Sequence, residues 1–271
     1  MFIGWVRKNT FAEDLEILSQ ELTIDKNLVK NTVEVDQSLA FGVYEEDRLA
    51  AIVTAYQFKD SILINNLYYK KSVDQSILQR LFKILLNNIN EDEKSIMFLA
   101  HKNEQAMLKE FGFEKYADFK KAVHSGSAVA FNFSNATAKS ISNPNYLGTL
   151  KRVDQKVFSE DRSEYINKII SKSSSLFLST EFGYQHSYAL DNNIIKISPW
   201  IMEDAAYSDS EKLIRGILYH RGLKTILAFI PKENKEITDL FLSYKFELVD
   251  DLTLIYLNKK PSIRLESIYG F

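Results

Sequence analysis

At 271 residues the chain exceeds the usual size of one domain, and two domains of about 130 residues each fit the common range. Apolar residues make up 45% and charged residues 26%, ordinary globular values with material for two cores, and the net charge of −2 implies no large cationic surface for nucleic acid. The chain contains no cysteine, which excludes disulfides, thiolate nucleophiles and cysteine-ligated metal and agrees with a reducing cytoplasm.

The opening Met1-Phe2-Ile3-Gly4-Trp5-Val6-Arg7-Lys8 is too mixed for a signal peptide, which needs an apolar core of roughly 7–15 residues. No window approaches the roughly 20 apolar residues of a spanning helix, so a cytoplasmic protein without a membrane partner is expected.

The first half alternates strands and helices. Phe2 to Lys8 reads as a strand. Thr10-Phe11-Ala12-Glu13 has the pattern of a capping box, with Leu15, Leu18 and Leu22 continuing a helical stripe. A second helix is predicted over Lys26 to Val35, and a hairpin over Leu39–Tyr44 and Leu49–Tyr56. Ser61 to Tyr69 reads as the next strand. Ser72-Val73-Asp74-Gln75 repeats the capping pattern ahead of an amphipathic helix through Ile77, Leu81, Phe82, Leu85 and Ile89. Ser95 to His101 has the pattern of a buried strand, Asn103 to Glu110 of a short helix, and Gly112-Phe113 leads to a closing strand pair ending near Asn135.

From Asn135 to Pro144 the composition shifts to Asn, Ser, Ala and Thr, the best linker candidate. Domains over 1–135 and 145–271 follow. In the second half a helix is predicted over Asp161 to Ser171, with Asp161-Arg162 as an ion pair fixing its start. Paired strands over Leu176–Thr180 and Tyr184–Leu190 and a strand over Asn193–Ile201 come next. Ser208-Asp209-Ser210-Glu211 is read as a capping box for a helix through Leu213, Ile217 and Leu218 that stops at Gly222. A strand over Thr225–Ile230, a helix over Asn234–Leu242 and a strand over Phe246–Tyr256 complete the order. The same late order in both halves reads as an internal duplication.

In the first half, Ile62 to Tyr69, the helix from Val73, and His101-Lys102-Asn103 through Lys109-Glu110-Phe111-Gly112-Phe113 together resemble the core of the GNAT acyltransferase superfamily. In the second, Asp154, Val157-Phe158, Asp161-Arg162, Gly183-Tyr184, Ile197-Ser198-Pro199-Trp200, Pro231 with Asn234, and Ser262-Ile263 through Ile268-Tyr269-Gly270 resemble the second domain of bacterial two-domain GNAT proteins. The resemblance spans nearly the whole chain and implies an α/β (α+β) fold of two GNAT-like mixed-sheet domains in tandem. Function must still be argued from the site.

The resemblance implies an acyl-coenzyme A, acetyl-CoA first, in a splay between two parallel strands, with its pyrophosphate on backbone amides at a helix N-terminus. Its positions here are Leu67, Tyr68, Ser72, Val73, Asp74, Gln75, Ser76, Ile77 and Asn103. The family's turn is Arg/Gln-x-x-Gly-x-Gly/Ala, whereas this one lacks both glycine and arginine. The corresponding turn of the second half, Met202 to Ser210, lacks glycine and carries three acids. Amides with serine hydroxyls, or ordinary capped helices, both fit such turns.

The tyrosine that often serves the family as general acid is replaced by Leu108 in the first half and Phe241 in the second. His101 ends the strand beside the splay, where a base for a substrate amine or a backbone-bonded histidine would sit. Tyr68 and Tyr69 must point to opposite faces, one of them offering a hydroxyl to a thiolate or simply packing. Glu203, beside Trp200, is the acid candidate of the second half. His124, His186 and His220 show no metal-ligand spacing, and no metal is expected.

The resemblance thus implies an acyl-CoA-dependent N-acyltransferase acting by direct attack of a small-molecule or protein amine, with a homodimer left open. The alternative is a non-catalytic GNAT pair that senses a ligand or binds a protein.

Overall fold

A computed structural model describes residues 1–89, 93–142 and 146–271. The elements run β1 (Phe2–Trp5), α1 (Phe11–Glu21), α2 (Lys26–Val35), β2 (Ala40–Glu45), β3 (Arg48–Gln57), β4 (Ser61–Tyr69), α3 (Gln75–Asn88), β5 (Ser95–His101), α4 (Lys102–Glu110) and β6 (Glu114–His124). They continue with α5 (Asn135–Ile141), α6 (Tyr146–Phe158), a π-helical stretch Tyr165–Ile170, β7 (Leu176–Thr180), β8 (Gly183–Ala189) and β9 (Ile194–Met202). The last are α7 (Tyr207–Arg221), β10 (Thr225–Pro231), α8 (Lys235–Ser243), β11 (Glu247–Asn258) and β12 (Ile268–Gly270).

The chain forms two compact units. The first takes Met1–Tyr116, Tyr165–Ile170 and Leu254–Pro261; the second takes Ala117–Glu164, Ser171–Thr253 and Ser262–Phe271.

In the first unit β1, β2, β3 and β4 pair antiparallel in that order, and β5 adds to β4 in parallel. That parallel step needs a crossover, which α3 supplies. Strand side chains alternate between faces. Thus Phe41, Val43 and Val53 meet Leu81, Phe82 and Leu85 of α3 and Leu108 of α4, while Tyr44 and Ile52 meet Leu15 and Leu18 of α1 and Val29 and Val33 of α2. The stretch Tyr165–Ile170 belongs to this unit by its bonds: Asn31 Nδ2 donates to the Ile169 carbonyl at 2.8 Å, and the Tyr165 ring packs against Tyr56 and Phe58.

In the second unit β7, β8 and β9 are antiparallel, β10 runs parallel to β9, and β6 lies antiparallel to β10. Leu213, Ile214 and Ile217 of α7 and Ile237, Leu240 and Phe241 of α8 cover one face. Helix α5 lies so close to α7 that a Cβ at Gly216 would stand 2.5 Å from Ile141 Cδ1, so a larger residue there would make the Ile141 and Leu178 side chains shift. In α6, Asp154 is buried and takes a two-pronged bond from Arg162, Nε to Oδ2 at 2.9 Å and Nη2 to Oδ1 at 2.8 Å, while the Tyr184 hydroxyl donates to Oδ1 at 2.5 Å. Burial first, then the Asp154 charge, raises the Tyr184 hydroxyl well above its usual range, so it stays a donor.

Several sequence expectations need correction. Thr10 makes no cap bond and instead donates to Asp14 Oδ2 at 2.6 Å. Helix α3 starts after Asp74 rather than Ser72, and α7 starts at Tyr207, which puts Ser208 inside it. Arg162 pairs with Asp154, not Asp161; Asp161 instead bonds Ser163 and Lys151. The linker candidate holds α5 from Asn135 to Ile141, capped by Ser134, while Asn143 and Pro144 lie outside the described residues. The helix expected over Asp161–Ser171 runs over 163–170, π-helical from Tyr165 to Ile170, and α6 was not anticipated. The closing strand pair is one long strand, β6.

Removing one partner of a buried pair strands the other charge. Asp154→Ala should therefore lower unfolding free energy by about 3–5 kcal/mol in urea denaturation. A loss under about 1 kcal/mol would mean that Arg162 finds water instead.

Candidate functional site

The site of the first unit begins where a ladder stops. β4 and β5 pair from Ser61↔Ser95 to Ile64↔Phe98, and beyond that point β4 runs on to Tyr69 and β5 to His101. The other edge of β4 shifts register at the same place: Ala55 faces Ile64 but Thr54 faces Asn66, so Asn65 is an extra residue, a β-bulge. Buried Asn66 anchors the bulge, accepting from Thr54 Oγ1 at 2.5 Å and donating to the Ile52 carbonyl at 3.3 Å. Asn65 is held on the α2 side, donating to Thr32 Oγ1 at 3.1 Å and accepting from the Tyr165 hydroxyl at 2.7 Å. The result is a fork between two parallel strands.

Lys70 to Asp74 turns from the fork into α3, closed by a bond from the Val73 amide to the Lys70 carbonyl at 3.0 Å. Val73 is buried, whereas Ser72, Asp74, Gln75 and Ser76 are exposed. The Asp74 carbonyl takes the amides of Ile77 and Leu78, leaving those of Gln75 and Ser76 as the open donors of the first turn. Lys71, which sequence reasoning passed over, is an exposed cation one residue ahead of Ser72. The turn thus offers two open amides without glycine, with Lys71 and the exposed Asp74 carboxylate ahead of them.

Tyr68 and Tyr69 do take opposite faces. The Tyr68 hydroxyl accepts from the Asp25 amide at 3.2 Å, on the α2 side, and burial raises its pKa. Tyr69 packs with Leu67 and Ile77 on the α3 side, and its hydroxyl accepts from Asn103 Nδ2 at 2.8 Å, which links the end of β4 to the start of α4. Burial, and then the charge of Glu104, raises the Tyr69 hydroxyl.

His101 is the N-cap of α4 and its side chain is exposed. The buried acid of the site is Glu104, three residues on: Oε2 accepts the His101 amide at 2.8 Å, and burial pushes its pKa up to about 7. Its cap spacing was visible in the sequence; its burial was not.

Glu203 belongs to the second unit, where Arg152 donates to its carboxylate and Lys156 Nζ lies 3.7 Å away. Trp200 is fully buried. No group of three candidate metal ligands occurs among the described residues, and no helix among them is long and apolar enough to cross a membrane.

Bulged β4, parallel β5, a fork between them and a helix starting beside it define the GNAT fold, and the second unit repeats the order in β9, α7, β10 and α8. The chain therefore has the fold of tandem GNAT proteins. A candidate acetyltransferase from Pyrococcus horikoshii is similar over 100% of this chain and 93% of its own, with TM-score 0.78 and 17% identity. A tandem GNAT protein of the clavulanic acid biosynthesis pathway is similar over 94% of this chain and 98% of its own (TM-score 0.63, 8% identity). A GCN5-related N-acetyltransferase from Sphaerobacter thermophilus covers 100% and is itself covered over 98% (TM-score 0.59, 9% identity). No protein-family model and no curated protein matches the sequence.

Glu104 makes stability depend on pH with a definite sign. Below its unfolded value of 4.5 the group is protonated in both states; between there and about 7 only the unfolded chain ionises, so stability falls as pH rises and then levels off. In urea denaturation from about pH 4 to about pH 8, Glu104→Gln should gain on the parent chain by on the order of 3 kcal/mol. Parallel curves would mean that Glu104 ionises as in water.

Proposed function

We propose that the chain is an acyl-CoA-dependent N-acyltransferase, with acetyl-CoA as donor, whose working site is the fork of the first unit. The observation that carries this reading is the coincidence, at one point, of the ladder's end, the Asn65 bulge and a helix start with open amides. Unpaired β4 edge groups suit an extended amide-bearing chain such as pantetheine. The amides of Gln75 and Ser76, with Lys71 nearby, suit phosphate.

In this reading the amine of the acceptor attacks the thioester carbonyl, forming a C–N bond as the C–S bond breaks. Glu104, ionised above about pH 7, takes the amine's proton directly or through one water. Tyr69 keeps its proton, because burial raises its pKa, and Asn103 fixes its oxygen so that its O–H can donate to the departing thiolate. β4 backbone amides stabilise the developing oxyanion. The acceptor is a small-molecule or protein amine, and the absence of cysteine agrees with a cytoplasmic setting.

Leu108 in place of the superfamily's tyrosine favours the second reading, a ligand-sensing pair without turnover. Calorimetry with acetyl-CoA and with free coenzyme A is the first test. Micromolar binding is expected, weakened about tenfold by Lys71→Glu, a change of about 1.4 kcal/mol. No heat and no thermal shift at millimolar ligand would overturn both readings' coenzyme site. If binding holds, an amine screen read by thiol release separates them: turnover should fall about 100-fold in Tyr69→Phe, with KM little changed.

A further inference from the structure

The second unit has a fork of its own, and part of the chain lies in it. β9 and β10 pair from Ile194↔Thr225 to Ile197↔Ala228; past that point β9 continues to Met202 and β10 to Pro231. β12 enters the gap, antiparallel to β9, with Ile268 opposite Ile201 and Gly270 opposite Trp200. On the other side, the Phe271 amide donates to the Phe229 carbonyl of β10 at 2.9 Å. The inserted segment therefore bonds to both prongs.

Its fit is close. A Cβ on Gly270 would lie 3.2 Å from Ile197 Cγ2 and 3.3 Å from the Ile197 oxygen and Trp200 Cβ, at the crotch of the fork. The Tyr269 hydroxyl lies beside Ser210 in the first turn of α7, and its ring is buried against Trp200. Farther back, Ser267 Oγ donates to Asp204 Oδ1 at 3.2 Å, and Arg264 Nη1 lies 4.0 Å from Asp204 Oδ2. Asp204 sits in the β9–α7 turn, the counterpart of the amide-lined turn of the first unit. Asp204, unfavourable to phosphate, thus has a basic and hydroxylic partner in the inserted segment.

We infer that the segment from Arg264 to Phe271 takes, in the second unit, the path that an acyl-CoA takes in a GNAT fork, so that this unit is closed to coenzyme and the chain has one coenzyme site, in the first unit. The identity of the displaced ligand rests on the proposed function; the closure itself does not.

Hydrogen exchange of the full-length chain tests the closure. Amides of Trp200–Met202 should be protected without ligand, and Gly270→Val should speed their exchange and that of Ile268–Gly270 by about tenfold or more. Arg264→Glu, on an exposed side chain that the fold tolerates, should speed the same amides by about twofold to fivefold should the valine variant not fold. Unprotected amides in the parent chain, or no acceleration in a folded variant, would overturn the closure. With acetyl-CoA added, protection should rise in β4 and the first turn of α3 only, at one coenzyme per chain. Added protection at Trp200–Met202, or two coenzymes per chain, would overturn the inference. Total absence of coenzyme binding would sink the proposed function and leave the closure to be judged on exchange alone.

Discussion

Two parallel strands that part company leave backbone N–H and C=O groups facing a gap, and such groups cannot stay buried without partners. That constraint organises both units. In the first, the Asn65 bulge turns β4 away from β5, and the strand ends at Tyr69 beside an open helix start. In the second, β9 parts from β10 after Ile197, and β12 bonds into the gap. One geometry thus has two solutions: space for something extended from outside, or a strand from within. The adjoining turns differ in charge: the first holds Lys70, paired with Glu21, then Lys71 and Asp74, and the second holds Glu203 and Asp204.

The strand framework was legible because its signal is local. β4, β5 and β7 fall on the residues that alternation and turn chemistry marked, Ser61–Tyr69, Ser95–His101 and Leu176–Thr180. Helix starts were less legible. Ser72 and Ser208 carry the right residue types, but the turn from Lys70 to Val73 and the backbone of Ala206 set the first turns of α3 and α7 instead. Helix α5 hid behind a linker-like composition, because its hold on α7 comes from Ile141 meeting Gly216, a tertiary contact.

The site residues divide the same way. That Tyr68 and Tyr69 face apart follows from strand geometry, and the structure brings Tyr69 to Asn103. Glu104 was hidden, since a carboxylate three residues after a helix start reads as a cap and only packing shows that it is buried. Asp161 illustrates the reverse error. It adjoins Arg162 in sequence, but a helix start turns the two side chains apart, and Arg162 closes on Asp154, which is buried, one turn before the end of α6. The Ile268-Tyr269-Gly270 ending carries no strand signal of its own in the sequence; its use as β12 depends on the gap beside β9.

The first unit is not one stretch of polypeptide. Its bulge is tied by Tyr165, its second helix by the Ile169 carbonyl, and Leu254–Pro261 also belong to it. During synthesis, then, the strands from β1 to β5 leave the ribosome long before these pieces exist. At about 5–20 residues per second the wait for Pro261 is roughly ten to thirty seconds. Through that interval β5 lacks its neighbour β11 and the nascent sheet has an unfinished edge, the condition under which chaperones are recruited and strands pair wrongly. A gene cut between its two apparent repeats would make that interval permanent for the first product. The compact units therefore do not coincide with the two halves of the duplication visible in the sequence.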